Sequence, residues 1–551
     1  MQTETLLPSR YRRGIVLTFF ALLLGLGLSL VRDYGVSTDE GTQRVIGQVS
    51  LLYVFQMLPQ QIQQKLVSPQ AAAHIAEDGK RRQLYTFEDR DYGVIFELPV
   101  AAVEQVFHMY GDEHKVFLMR HIFTLLVCYL GLIAFYNLVK QRFNSWRWGL
   151  LGTLLLVLSP RQFADYFYND KDGVFMALFT IAVATAVPFI RRPTWRTALW
   201  HALACAIAID ARVMGILVPA ATLAFVGLRG ILGNYKKPAT APTGGIVGPL
   251  GVYLVAMAVL VVAFWPYLWG APVAHLVEAF ENMSHFRWPG YVLYQGDVIK
   301  ATQLPWHYSL VWIGITVPIV YLVLFGLGLA GILTQALRRV LQIFTDDADW
   351  QDLLFLGLGL APIASVIVLH SVLYNAWRQL YFIYPMLLLV AIRGLAMAWY
   401  WRPTSPVGNR FWQPALGLAM GLSLVIIGVR MVRLHPFEHV YFNAFAPRTP
   451  ERYFVSDYWN LSYRQALEWI AAHDNRPHIR LYCKEYNPLE LARLNLPAAA
   501  RNRMGEVLFS NKPEESDYVV ANYYYQFPQP YPLHHIMWAD GVRMVDIYKV
   551  H

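Results

Sequence analysis

The sequence predicts a polytopic α-helical membrane protein with a small C-terminal α/β domain, and three observations predict it. Hydrophobic residues fill 56% of the 551 positions and charged residues only 15%, where a soluble globular chain is roughly a quarter charged. Apolar runs recur up to residue 429, many of them near the roughly 20 residues that an α-helix needs to cross a bilayer core. Beyond residue 431 those runs stop and charged residues return. A mean hydropathy of +0.34 argues against a soluble enzyme, and 15% aromatic residues exclude disorder. The net charge of +9 is basic without being a nucleic-acid signature. Cys128 and Cys205 lie inside apolar runs, which leaves Cys483 without an obvious partner and excludes a disulfide framework.

The first span, 14–31, follows Arg10, Arg12 and Arg13. It is longer than the apolar part of a signal peptide and runs into Arg32, Asp33 and Tyr34 instead of a small-residue cleavage site, so it reads as an uncleaved anchor. Further spans are expected at 117–139, 148–159, 173–190, 198–209, 213–228, 246–265, 308–333, 353–373, 380–397 and 414–429. That makes about eleven transmembrane helices, of which 148–159 and 198–209 are short for a crossing. Basic residues stay on the cytoplasmic side, and alternate loops are the basic ones: Lys140, Arg142 and Arg147; Arg191, Arg192 and Arg196; Arg229, Lys236 and Lys237; Arg338 and Arg339; Arg402 and Arg410. The N-terminus is therefore expected inside. Segments 32–116, 160–172, 210–212, 266–307 and 374–378, with the tail, then face outward.

This layout divides the chain into a transmembrane module over 1–431, including the outer loop 32–116, and an extracytoplasmic α/β domain over 432–551. In the tail, 462–472 has helical spacing of apolar residues, and 479–483, 518–521 and 544–548 read as short strands. No Walker loop, GxGxxG after a strand, HExxH or CxxC pair occurs.

Candidate chemistry gathers on the outer face. Ser37-Thr38-Asp39-Glu40-Gly41 follows the first span and sets two carboxylates beside the membrane surface. Partial desolvation raises a carboxylate pKa and suits it to general-base work, while the same residues also fit a helix N-cap. A second acidic group, Asp165 to Asp172, fills the next outer loop and leads straight into an apolar run. Charges this close to hydrocarbon commonly line a polar site. Tyr166, Phe167 and Tyr168 read as an interfacial aromatic belt, and one of Asp170 and Asp172 also suits an N-cap. Arg378, and then Lys171, are the candidate phosphate ligands, since an arginine fork gives directional charge-assisted hydrogen bonds; Arg212 reads as a partner of Asp210, and Arg161 is a further outward cation. In the aromatic loop 266–307, His285 and His307 are candidates for substrate contact, with structural packing as the alternative.

Taken together, Thr38-Asp39-Glu40-Gly41, Tyr168-Asn169-Asp170-Lys171-Asp172, Trp265-Pro266-Tyr267-Leu268-Trp269 and the turn Tyr374–Arg378 resemble the GT-C superfamily of membrane glycosyltransferases. The group meant is the one containing protein O-mannosyltransferases and the lipid A aminoarabinose transferase. The passages His435-Pro436-Phe437-Glu438-His439-Val440-Tyr441-Phe442-Asn443 and Asp457-Tyr458-Trp459 are similar to bacterial members with a C-terminal extracytoplasmic domain. The resemblance implies transfer of a sugar, with inversion, from a polyprenyl-phosphate donor to a glycan, lipid or protein acceptor at the outer face of a bacterial cytoplasmic membrane. It implies Asp39 as general base, with Glu40 and Asp170 orienting hydroxyls. Lys171 and Arg378 then stabilise the leaving phosphate, and Asp172 joins them in substrate binding. Some members of the family hold a divalent cation among such acids; the sequence requires no cofactor and assigns no metal ligand. A transporter or flippase of a lipid-linked sugar is the alternative from the span count, and a membrane scaffold recruiting a partner through the tail is a second.

Overall fold

The computed structural model describes residues 8–66, 83–109, 111–232, 246–284, 288–484, 486–508, 512–522 and 529–551. Among them, nine helices are long and apolar enough to cross a membrane: Ser9–Leu30, Glu113–Phe143, Asp172–Arg191, Val213–Ile231, Val247–Phe264, Ile319–Phe344, Asp347–Val368, Arg378–Tyr400 and Pro406–Leu434. Two further expected spans are the shorter helices Trp146–Val157 and Trp195–Ala211. Several long helices turn apolar faces outward, as at Leu17, Leu22, Val255, Leu418 and Val432. Such surface is stable in lipid and costly in water. The chain is a multi-pass membrane protein.

It forms two compact units. The larger comprises Met1–Thr38, Glu113–Gly173 and Trp288–His551, and the smaller Asp39–Asp112 and Val174–Arg287.

In the larger unit, Arg378–Tyr400 is the most enclosed span, with 83% of its most apolar window buried. It meets the Ile319–Arg339 helix backbone to backbone, because a Cβ on Gly394 would lie 2.0 Å from the Leu324 carbonyl and one on Gly328 would lie 1.9 Å from that of Val390. Small residues permit this close approach. The expected span 308–333 is broken in two, Tyr308–Thr316 and Ile319–Arg339. Pro318 has no amide hydrogen and drives Val317 into extended backbone. Asn443 satisfies the carbonyls this exposes: its Nδ2 donates to Gly314 and Val317, both at 2.7 Å, and its backbone amide to Ile315 at 2.8 Å.

The expected outer loop 160–172 proves to be largely helix. Pro160–Tyr168 starts with proline at its first turn, the position where a missing amide hydrogen is harmless, and all nine of its residues are buried. Tyr166, Phe167 and Tyr168 are therefore interior side chains and not an interfacial belt; Phe167 stacks on Tyr34 at 4.3 Å. The loop 266–307 also contains structure not foreseen. Strands β1 (Tyr291–Tyr294) and β2 (Asp297–Lys300) form a hairpin turning at Gln295-Gly296, both at positive φ.

The tail holds a five-stranded sheet of β3 (Ile479–Tyr482), β4 (Met504–Leu508), β5 (Tyr518–Asn522), β6 (Leu533–Ala539) and β7 (Val542–Lys549) in the order β4-β3-β5-β7-β6. β3 runs parallel to β4 and β5, while β7 is antiparallel to both β5 and β6. The helix Ser462–His473 lays Ala466, Leu467 and Ile470 on Leu481, Val520, Val545 and Ile547; burial of each such aliphatic side chain contributes about 1.5–3 kcal/mol.

In the smaller unit, the helices Glu40–Met57 and Glu97–Val106 pack through Gly47, and Arg44 holds Glu104 at 2.5 and 3.0 Å. Asp210 Oδ1 accepts from the Val94 amide at 2.9 Å. A Cβ on the neighbouring Gly93 would overlap the Asp210 carbonyl. The pairing expected of Asp210 with Arg212 does not form: Oδ1 takes the Val94 amide, and Oδ2 has no partner among the described residues.

Candidate active site

The larger unit buries a charged cluster around the Pro160–Tyr168 helix. At its C-terminal end Asn169 Oδ1 accepts from the Asp172 amide at 2.7 Å and so caps the following helix. Neither Asp170 nor Asp172 is needed for that cap, and both carboxylates are engaged with arginines. Asp170 Oδ2 takes Arg120 Nη2 at 2.5 Å, and Asp172 Oδ2 takes Arg378 Nη1 at 3.1 Å. All four side chains are almost fully buried. Lys171 stands between the two acids, half-buried.

The turn before Arg378 is unusual in placing two non-glycine residues, Asn375 and Ala376, at positive φ. Left-handed backbone at an L-residue costs about 1–2 kcal/mol. The turn brings the guanidinium over Trp459 at 4.5 Å and Tyr374 at 4.8 Å. The sequence-predicted Asp170, Lys171, Asp172 and Arg378 therefore come together. His307 is held by Tyr294, its Nδ1 2.6 Å from the phenolic oxygen, and His285 lies outside the described residues.

Asp39 and Glu40 belong to the smaller unit. Asp39 occupies the N-cap position of the Glu40–Met57 helix, but its side chain makes no capping hydrogen bond there. Glu40 is buried in the first turn. The capping motif is present in position and not in bonding.

Three groups in the larger unit stand out that the sequence did not single out as site residues. The first is Asp165, fully buried with neither carboxylate oxygen in hydrogen-bond geometry with any described residue. Burial pushes its pKa up to about 7; Asp172 adds to the rise, and Asn169, Tyr168 and Arg378 oppose it. The second is Arg161. Its Nε donates to the Tyr441 carbonyl at 2.9 Å and its guanidinium lies over Phe442 and Trp312, yet Nη1 and Nη2 are buried with no partner among the described residues. The third is His439, whose Nε2 lies 2.8 Å from Asp457 Oδ1. With that nitrogen donating, Nδ1 presents a lone pair, and it too lacks a partner among the described residues. Although burial opposes its charge, Asp457 is kept below the ordinary carboxylate range by His439 and by Ser462, whose hydroxyl and amide both donate to it.

These groups share surroundings. The Tyr458 hydroxyl feels Asp165, Arg161 and Arg378 together, and Tyr168 meets both His439 and Trp459 edge to face. A buried site with two aromatic-backed guanidiniums, one of them with open amines, suits an anionic group of phosphate type. A carboxylate near neutrality suits proton exchange. Among the described residues no three His, Cys, Asp or Glu side chains are placed to hold a metal ion together. Asp170 and Asp172 are each engaged with an arginine.

No protein-family model matches the chain, and no curated protein matches it. Among solved structures, the crystal structure of ArnT from Cupriavidus metallidurans bound to undecaprenyl phosphate is similar over 97% of this chain and 98% of that chain, at 13% sequence identity and a TM-score of 0.43.

Proposed function

We propose that the protein is a membrane glycosyltransferase of the GT-C kind, moving a sugar from a polyprenyl-phosphate donor to an acceptor hydroxyl at the extracytoplasmic face. The observation that carries the reading is Arg161. A buried arginine with both terminal amines open calls for an anion, because an uncompensated charge in a dry interior is costly. A polyprenyl-phosphate sugar supplies one, and a multi-pass membrane body gives its lipid chain a solvent.

In this reading the acceptor oxygen attacks the anomeric carbon from the face opposite the phosphate. The new C–O bond forms as the bond to the phosphate oxygen breaks, which inverts the centre. The acceptor proton passes to Asp39, the role that the acidic motif after the first span implies. Arg161 and Arg378, with Lys171, neutralise the departing polyprenyl phosphate. Asp170 and Asp172 hold Arg120 and Arg378 in place, Glu40 orients acceptor hydroxyls, and His307 and His285 contact substrate. We keep the division at 431/432 as part of the proposal, with the N-terminus in the cytoplasm of a bacterial cell and the tail outside.

The test is transfer from a panel of radiolabelled polyprenyl-phosphate sugars into a membrane extract, using purified wild type, Asp39→Asn and Arg161→Met. Labelling by wild type, cut at least a hundredfold in Asp39→Asn and about 10- to 100-fold in Arg161→Met, is expected from loss of the base and of one charge-assisted phosphate contact. Full activity in Asp39→Asn removes it as base. No labelling from any donor, with the labelled lipid instead moved across liposomes, replaces the enzyme by a transporter.

A further inference from the structure

The tail sheet contains a second site-like feature. Its parallel strands β4, β3 and β5 present their carboxyl ends on one edge. From β3 the chain leaves through the helix Tyr486–Leu494 to β4 on one side, and from β5 it leaves for β6 and β7 on the other. Where connections diverge in this way they open a crevice at the carboxyl ends of the two strands, and open α/β sheets bind their ligands there. The structure has a cavity of about 130 Å³ at this place, lined by Tyr463, Tyr482, Cys483, Lys484, Asn522 and Gln529.

Its size and lining narrow the ligand. Sites that enclose a whole drug-sized ligand measure roughly 300–1,000 Å³, so this one takes the end of a longer molecule. Tyr482 offers an aromatic ring, Asn522 and Gln529 offer amides, Lys484 offers a cation, and no carboxylate is among the described residues that line the cavity. No glycine-rich turn leads from β3 into the helix that follows, which argues against a nucleotide phosphate. A sugar ring, with apolar C–H faces and a rim of hydroxyls, matches the combination.

The crevice is also wired toward the catalytic segment. Asn522 Nδ2 donates to Asn460 Oδ1 at 2.5 Å, and Asn460 Nδ2 donates to Thr38 Oγ1 at 2.8 Å. Asn460 is held at φ 59° to make both contacts, a conformation that asparagine tolerates better than most residues. Thr38 is the residue before Asp39.

We propose that this crevice is a saccharide subsite for the terminal unit of the acceptor, an assignment that rests on the glycosyltransferase reading for the word acceptor but not for the binding itself. The test measures binding without donor, by saturation-transfer NMR on the full chain in nanodiscs. The probes are maltotriose, chitotriose and trigalacturonate, and the variants are Lys484→Ala and Asn522→Ala. At least one trisaccharide is expected to bind wild type and to bind each variant about tenfold more weakly. Lys484 is solvent-exposed, so an unchanged unfolding temperature in Lys484→Ala separates lost binding from lost folding. If none of the three binds wild type, or if both variants bind as wild type does, the subsite is overturned. Crevice-dependent binding in a protein that transfers no sugar from any donor supports the subsite and overturns the enzymatic reading instead.

Discussion

At the scale of single residues, Asp165 is the group whose chemistry the fold has altered most consequentially. Its neighbours are Asn169 and Tyr168 from its own segment, Asp172 from the helix that follows, Arg378 at the start of the Arg378–Tyr400 span, and Cys128, Tyr34, Tyr381 and Tyr458 around them. With its pKa pushed up to about 7, the carboxyl is mostly protonated below that pH and, under the proposed function, leaves Arg378 to the donor phosphate. Above it, the carboxylate competes for that arginine. A polyprenyl-phosphate sugar is a phosphodiester with one charge throughout this range, so the titration belongs to the protein. Donor affinity is therefore expected to fall as pH rises from 6 to 8, by several-fold, and Asp165→Asn is expected to flatten the dependence. A KM for donor that is level across that range in wild type, or equally steep in Asp165→Asn, contradicts this role. The sequence displayed Asp165 and Arg161 but gave no reason to prefer them over Asp170 and Arg378, because their distinction is a missing partner, and partners come from segments hundreds of positions away. His439 and Asp457 stand out in the sequence only as parts of the passages similar to bacterial GT-C members, for the same reason. Asp170, Asp172 and Arg378 were legible, since acidic and basic residues crowded against apolar runs need a polar interior to live in.

At the scale of elements, all eleven expected spans correspond to helices, and the two judged short are the two that fall outside the nine long enough to cross. Apolar length is a local property, and the sequence states it directly. The break at Pro318 is also written there, but hydropathy runs across a proline without a dip. The hairpin of β6 and β7 turns on Asp540-Gly541, both at positive φ, and an Asp-Gly pair between apolar stretches is a hairpin signal. β4 offered less, since its partner β3 lies on the far side of an intervening helix. The contact of Gly328 and Gly394 was not legible at all, because a glycine in a membrane helix does not announce which neighbour it meets. Gly394→Val is predicted to force the Ile319–Arg339 and Tyr384–Tyr400 helices apart, at a cost of about 1–3 kcal/mol or more. It is read as a lowered unfolding temperature in detergent, with Gly421→Val as control, where an added Cβ meets nothing within 4 Å. Equal stability of the two variants rules out the backbone contact.

At the scale of the whole molecule, the sidedness of the loops makes a prediction that needs no activity. The native cysteines Cys128, Cys205 and Cys483 are all buried, so one new exposed thiol reports its own side of the membrane. Lys549→Cys in the tail is expected to react with a membrane-impermeant maleimide in cells whose cytoplasmic membrane is accessible from outside. Thr404→Cys, in the loop before Pro406–Leu434, reacts only after the membrane is opened. The reverse pattern inverts the topology and with it the face of the proposed reaction. The same molecule-wide view gives a meaning to the bonds between the first forty residues and the last hundred and twenty. Tyr34 donates to Glu438 at 3.0 Å, Arg464 donates to the carbonyls of Arg32 and Tyr34, and Thr38 bonds the Trp459 carbonyl; Arg161, from the middle of the chain, likewise rests on the carbonyl of Tyr441. A ribosome delivers residues 438–464 only after the spans up to Pro406–Leu434 are made. The cluster around Arg161 and Arg378 therefore stays open on the nascent chain while it threads into the bilayer, and under the proposed function a partly synthesised polypeptide has no finished site with which to consume its donor.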